Sequence, residues 1–135
     1  LIYSPQVPFF RARSTDPLLE ELFYASVITA PAPNAGAIRR NQPEAVEKLP
    51  ATFRRRWENI LAVAQTHGHT TVILGAWGCG AFRNDPKLVA QTAGEALALP
   101  RFAGSFARVI FPIPSFNEYS RRNLEVFQTE LAKAA

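Results

Sequence analysis

Gly75, Gly78 and Gly80 lie close together in the run Leu74-Gly75-Ala76-Trp77-Gly78-Cys79-Gly80-Ala81-Phe82-Arg83-Asn84-Asp85-Pro86. The run begins where an aliphatic and β-branched stretch, Thr70-Thr71-Val72-Ile73-Leu74, ends. Glycines so placed let the main chain turn tightly and bring its N–H groups up to an anion. Asp85 suits a helix cap and Pro86 a first helical position, so the run reads as strand, glycine loop and helix start. A helix beginning there adds partial positive charge, although its own cap is an aspartate. The chemistry this device serves is the cradling of a phosphate group. A tight strand-to-helix connection that binds nothing needs the same glycines. No Walker lysine and no strict GxGxxG is present, which sets aside the commonest nucleotide motifs.

Other chemistry-bearing residues cluster around three segments. Trp77 and Phe82 either cover the sheet edge or line a ribose or base. Cys79, in a strand-to-helix turn, has the position of a nucleophile. His67 and His69, however, precede the strand at its other end, and about 3.3 Å per residue puts a Cys–His pair well over 10 Å apart. The same histidines lack cysteine or carboxylate ligands at metal spacing, so no metal site is expected. Asn34, Arg39, Arg40 and Asn41 follow a proline-rich exit, Ala30-Pro31-Ala32-Pro33. They read either as a solvated loop or as Asn34 meeting a ribose or base while Arg39 or Arg40 meets phosphate. Phe116 and Asn117 can stack on and hydrogen-bond a purine; otherwise Phe116 packs over the final helix. Glu118 is the only carboxylate nearby and Asp85 is taken up as a cap, so the chain holds no convincing pair of acids for glycoside chemistry.

The elements that must position these residues alternate. Ile2-Tyr3-Ser4 and Val7-Pro8-Phe9-Phe10-Arg11 read as short edge strands broken by Pro5 and Pro8, and 22–29 as a clear strand. Ala30 to Gly36 reads as a rigid loop whose two prolines fix the backbone, within a longer loop over 30–42. Phe53, Trp57, Ile60, Leu61 and Ala64 form one apolar helical stripe, with a short turn before Pro50 and Gly68 as the helix's closing residue. Strand 71–74, the glycine loop, a helix from Pro86 to about Leu97, strand 106–111, an exit loop and a helix over 121–133 complete the chain. This order predicts a three-layer α/β sheet with parallel main strands, and ligands of such sheets sit beyond the strands' carboxyl ends. Loops 30–42, 75–85 and 112–119 leave those ends.

At 135 residues the chain is expected to be one domain, spanning 1–135, with a real core. Its hydrophobic content of 47% fits a globular protein, and no apolar run approaches a membrane span. One cysteine excludes an internal disulfide and suits a reducing cytoplasm. The net charge of +4 favours polyanionic partners only weakly, and Arg54, Arg55 and Arg56 read as a solvated helix face, so no direct nucleic-acid binding is expected. Leu1-Ile2-Tyr3-Ser4-Pro5 has no initiator methionine and no signal-peptide character, and reads as a chain entered partway.

The run Val72 to Pro86 resembles a motif of the bacterial-type poly(ADP-ribose) glycohydrolases, a macrodomain family. Ile2-Tyr3-Ser4-Pro5 through Val7-Pro8-Phe9-Phe10-Arg11, and Ile28-Thr29-Ala30-Pro31-Ala32-Pro33-Asn34-Ala35-Gly36, resemble further segments of that family in the same order. The resemblance implies a macrodomain fold that binds ADP-ribose at the carboxyl ends of its strands. It implies that Gly75, Ala76, Trp77, Gly78, Cys79, Gly80, Ala81 and Phe82 wrap the diphosphate, with Phe82 near the distal ribose; Asn34 and Phe116 stay ligand-binding candidates on the residue reading above. The family's catalytic signature, a glycine triplet followed by Gln-Glu-Glu, does not occur in this sequence. The chain therefore resembles the C-terminal half of such a protein, an incomplete portion of the three-layer macrodomain-like sheet, with no catalytic residue of its own.

The activity implied by the resemblance is hydrolysis of the ribose–ribose O-glycosidic bond of poly(ADP-ribose), without metal or cofactor. A glutamate from a complementary N-terminal segment or chain is expected to protonate the leaving oxygen, while this chain orients the substrate. Two other classes stay open at this point. One is a non-catalytic ADP-ribose reader, and the other an α/β module for a different nucleotide.

Overall fold

The computed structural model describes residues 1–133. The elements are β1 (Ile2–Phe9), β2 (Phe23–Thr29), α1 (Ala35–Asn41), a 3-10 turn (Pro43–Lys48), α2 (Leu49–Thr66), β3 (Thr71–Ile73), α3 (Pro86–Leu97), a second 3-10 turn (Pro100–Phe102), β4 (Arg108–Ile110) and α4 (Glu118–Leu131). They form two compact units, Leu1–Pro31 and Ala32–Ala135. The architecture is mixed α/β, but the strands make two two-stranded sheets, β1–β2 and β3–β4, where the alternation predicted one sheet.

In the first unit β1 runs antiparallel to β2, from Ile2 opposite Thr29 to Phe9 opposite Phe23. The expected break at Pro5 and Pro8 is a bulge inside one continuous strand. Ser4 faces Val27 and Val7 faces Ala25, so β1 carries one residue more than β2 over that interval. Gln6, at φ 49°, absorbs the extra length. A lone proline costs a strand only one ladder bond, which is tolerable at an edge. The Phe9 and Phe23 rings stack with centroids 4.9 Å apart.

The second unit is built on α2 and α3. The apolar stripe of α2 is buried as its spacing predicts, with Phe53, Trp57, Ile60, Leu61 and Ala64 all inward. Opposite it α3 presents Val89, Ala90, Ala93 and Ala96, small residues that allow a close helix approach. Phe127 of α4 and Val72 of β3 complete this core. Asp85 caps α3 by accepting from the Lys87 amide at 3.0 Å, with Pro86 in the first turn. Gly68, at φ 71°, follows the end of α2. Strands β3 and β4 are parallel, with Val72 opposite Val109 and Ile73 opposite Ile110.

Two boundaries differ from the sequence reading. Segment 30–42 is not loop throughout, because Asn34 accepts from the Ala37 amide at 2.9 Å and starts the seven-residue α1. Helix α4 begins at Glu118, not Arg121. Asn117 and Ser120 form a reciprocal capping box there, with serine in the place usually held by Glu or Gln. Of the residues expected to face inward on α4, Phe127 is buried, and Leu124 and Leu131 are half-buried.

Candidate functional site

The carboxyl end of β3 opens directly into the glycine loop. Leu74 still donates to the Ile110 carbonyl of β4 at 2.8 Å, and the chain then turns sharply. Trp77 N–H donates to Gly75 O at 2.7 Å, Cys79 to Ala76 at 3.0 Å, Arg83 to Gly80 at 2.9 Å and Asn84 to Gly78 at 3.2 Å. The amides of Ala76, Gly78, Gly80, Ala81 and Phe82 donate to no acceptor among the described residues. Gly80, Ala81 and Phe82 are exposed, so this side of the loop offers main-chain donors to solvent.

The other side of the loop is packed. The Trp77 ring meets Trp57 and Phe53 edge-on, with centroids 4.9 Å and 5.8 Å away, which holds the loop down on α2. Gly78 has φ 75°, and a Cβ there would stand 2.5 Å from Asn84 Nδ2 and 2.6 Å from Ala32 Cβ. Only glycine fits that position. Cys79 is fully buried. Burial first, and then the charge of Asp85, push its thiol up to about 12. A thiol so held has no nucleophilic form near neutral pH. Tyr119 Oη donates to the Cys79 carbonyl and ties α4 to the loop.

Segment 32–41 forms a second wall against the first. Gly36 N–H donates to Phe82 O at 3.0 Å, Arg39 Nη1 to Arg83 O at 3.0 Å and Asn84 Nδ2 to Pro33 O at 2.8 Å. Asn34 stands beside these contacts, exposed, with its carbonyl oxygen committed to capping α1. Arg39 is brought to the glycine loop, and Arg40 is exposed on α1. Beyond β4, Phe116 is 81% exposed, so it does not pack over the final helix. The Phe82 ring is exposed as well, and Glu118 opens α4 on the surface.

Sequence reasoning missed two members of the arrangement, Asn84 and Tyr119. Their partners lie 51 and 40 residues away in the chain, and no local pattern announces them. Among the described residues no three His, Cys, Asp or Glu side chains come together as a metal site would require. No helix among them is long and apolar enough to cross a membrane.

No family model matches the chain, and no curated protein matches it. Solved structures do. The poly(ADP-ribose) glycohydrolase of Deinococcus radiodurans in complex with ADP-ribose superposes with TM-score 0.89 at 41% identity, over 98% of this chain and 52% of that one. Its apo form gives 0.88 at 41% identity, over 98% and 53%. The enzyme of Thermomonospora curvata gives 0.81 at 42% identity, over 95% and 46%. The chain thus spans about half the length of the solved proteins it matches. Over nearly all of its own length, this sequence has the macrodomain-like α/β fold and close sequence similarity of bacterial poly(ADP-ribose) glycohydrolases.

Proposed function

We propose that this chain is the ADP-ribose-binding portion of a poly(ADP-ribose) glycohydrolase, and that residues 1–135 form the C-terminal part of one macrodomain-like domain. The observation that carries this reading is the open glycine loop, with main-chain donors on its exposed side and a packed underside. In this reading Gly75 to Phe82 receive the diphosphate, Asn34 meets a ribose or base from the second wall, and Phe116 stacks on the adenine. Arg39 adds charge beside the loop. The catalytic glutamates belong to a complementary segment, and this chain's share of catalysis is orientation.

The parallel pair β3–β4 supports the need for such a segment. Parallel sheets are ordinarily covered on both faces. Here the register partners Ile73 and Ile110 share one face and are 69% and 37% exposed. The lone, buried cysteine suits a reducing compartment, and we place the protein in the cytoplasm.

Calorimetry with ADP-ribose, set against NAD, ATP and AMP, tests the ligand. Saturable binding selective for ADP-ribose is expected, and indifference among the four would favour a general nucleotide module. A poly(ADP-ribose) cleavage assay on the protein completed by its remaining half tests the enzyme. Binding without turnover there would make it a reader.

A further inference from the structure

Asn84 is only 3% exposed and lies where the two walls of the site meet. Its carboxamide nitrogen has two hydrogens and two acceptors, the Pro33 carbonyl at 2.8 Å and the Gly78 carbonyl at 2.9 Å. One acceptor belongs to each wall. The Asn84 main-chain N–H adds a third bond, at 3.2 Å, to the same Gly78 oxygen. The other two links between the walls, from Gly36 and Arg39, involve half-buried or exposed groups. The Asn84 link is the enclosed one, and an enclosed hydrogen bond is the costliest to lose. The side chain also limits Gly78 sterically, since it stands 2.5 Å from where a Cβ would be.

We propose that Asn84 is a positioning residue, which locks the spacing between the glycine loop and the Pro33–Asn34 corner and so fixes the mouth in which ADP-ribose is held. The ligand half of this proposal rests on the functional reading above; the locking half does not. Only a group with two donors in one plane can satisfy both carbonyls. The orientation of the amide follows, because an oxygen in place of Nδ2 would face two acceptors. Asn84 Oδ1 is then buried without a partner among the described residues, a cost the fold accepts to keep both donors in use.

The test is Asn84→Asp, nearly isosteric, compared with wild type at about pH 8 and about pH 5. As a carboxylate it turns both contacts repulsive; burial raises its proton affinity, and the protonated acid regains one donor. Every other ionisable group on the elements meeting here, Asp85, Cys79, Arg83, Arg39, Arg40, Lys87, Glu118 and Tyr119 among them, is common to both proteins, so the difference between their profiles isolates position 84. ADP-ribose affinity is expected to fall about tenfold or more at the higher pH and to recover partly at the lower. Hydrogen exchange on the ligand-free chain reads the lock itself. The Gly36 and Asn84 amides, one in each wall, should exchange faster in Asn84→Asp at the higher pH than in wild type. If that variant does not fold, Asn84→Ser, which keeps a single donor, should show the same acceleration. Exchange at both amides equal to wild type overturns the proposal, as does an affinity loss that ignores pH. Failure of wild type to bind ADP-ribose, with exchange responding as expected, overturns the functional reading and leaves the lock standing.

Discussion

Loops 74–85 and 111–117 leave the carboxyl ends of neighbouring parallel strands, yet they are built on opposite terms. The first is knitted into the fold by main-chain bonds, by the Trp77 ring on α2, by Asn84 and by Tyr119. In the second, residues 112–116 make no hydrogen bond to the described residues; Pro112 and Pro114 restrict it, and Phe116 projects into solvent. A wall organised in advance loses little freedom when a ligand arrives, whereas a wall that must be ordered subtracts from the affinity. The division fits the two chemistries proposed for them. Amide donors act on a phosphate only if held in fixed directions, while stacking on an aromatic face tolerates variation in approach.

The contrast should break most completely at Gly78. Gly78→Val should abolish ADP-ribose binding, because a side chain at φ 75° is strained and its Cβ would strike both Asn84 and Ala32. Strain and overpacking of this kind each cost about 1–3 kcal/mol, so the melting temperature should fall too. Gly78→Ala, which adds only the Cβ, should already lose most of the affinity. Calorimetry alongside thermal melting reads both effects. Full affinity in a folded Gly78→Val protein would remove the rigid wall from the comparison.

Phe116→Ala addresses the other wall. With the ring 81% exposed, the melting temperature should not move. Base stacking on an aromatic ring contributes about 1–3 kcal/mol, so affinity should drop about tenfold, and by the same factor for AMP if the adenine is what stacks. An unchanged affinity would mean that this loop takes no part in the site.

Cys79 sharpens the contrast through pH. Its thiol, ordinarily at 9.0, is pushed up to about 12 in the folded chain, chiefly by burial. The folded protein therefore keeps a proton that the unfolded chain releases. The stability linked to it is whole below about pH 9 and is lost as pH climbs towards 12. Melting curves of wild type should decline over that window more steeply than those of Cys79→Ala, and native protein near neutral pH should resist alkylation by iodoacetamide. Ready labelling would show the underside of the loop to be open.

Reading by periodicity succeeded where one element's own residues carry the signal. The stripe on α2 and the Asp85-Pro86 start of α3 are local facts, and both stand. What stayed hidden depends on a partner distant in sequence. The continuity of β1 through Pro5 is set by where β2 places Val27 and Ala25. Helix α1 is seven residues long and has no apolar period, and its only signal was Asn34, which the sequence offered as a ligand donor and whose carbonyl oxygen the fold uses as a cap. Asn84 looked like the residue before a cap, and its work is done across 51 residues. The glycine loop was legible because its requirement for open backbone is written in its own composition.

The smallest expected effect is the most selective. A Cβ on Gly80 would meet nothing within 4 Å, and the residue needs no left-handed backbone, so Gly80→Ala places no demand on the fold. By reducing the freedom of the unfolded chain, it should leave stability equal or higher by about 0.4–1 kcal/mol. The main-chain amide at position 80 is retained in the variant, so hydrogen-bonding capacity is unchanged. What changes is how near a phosphate oxygen can come, since the methyl stands on the exposed side of the loop. A loss of affinity of a few-fold, with no fall in melting temperature, is the signature of a ligand in close contact with the main chain. A purely connecting loop would tolerate the same methyl with nothing lost.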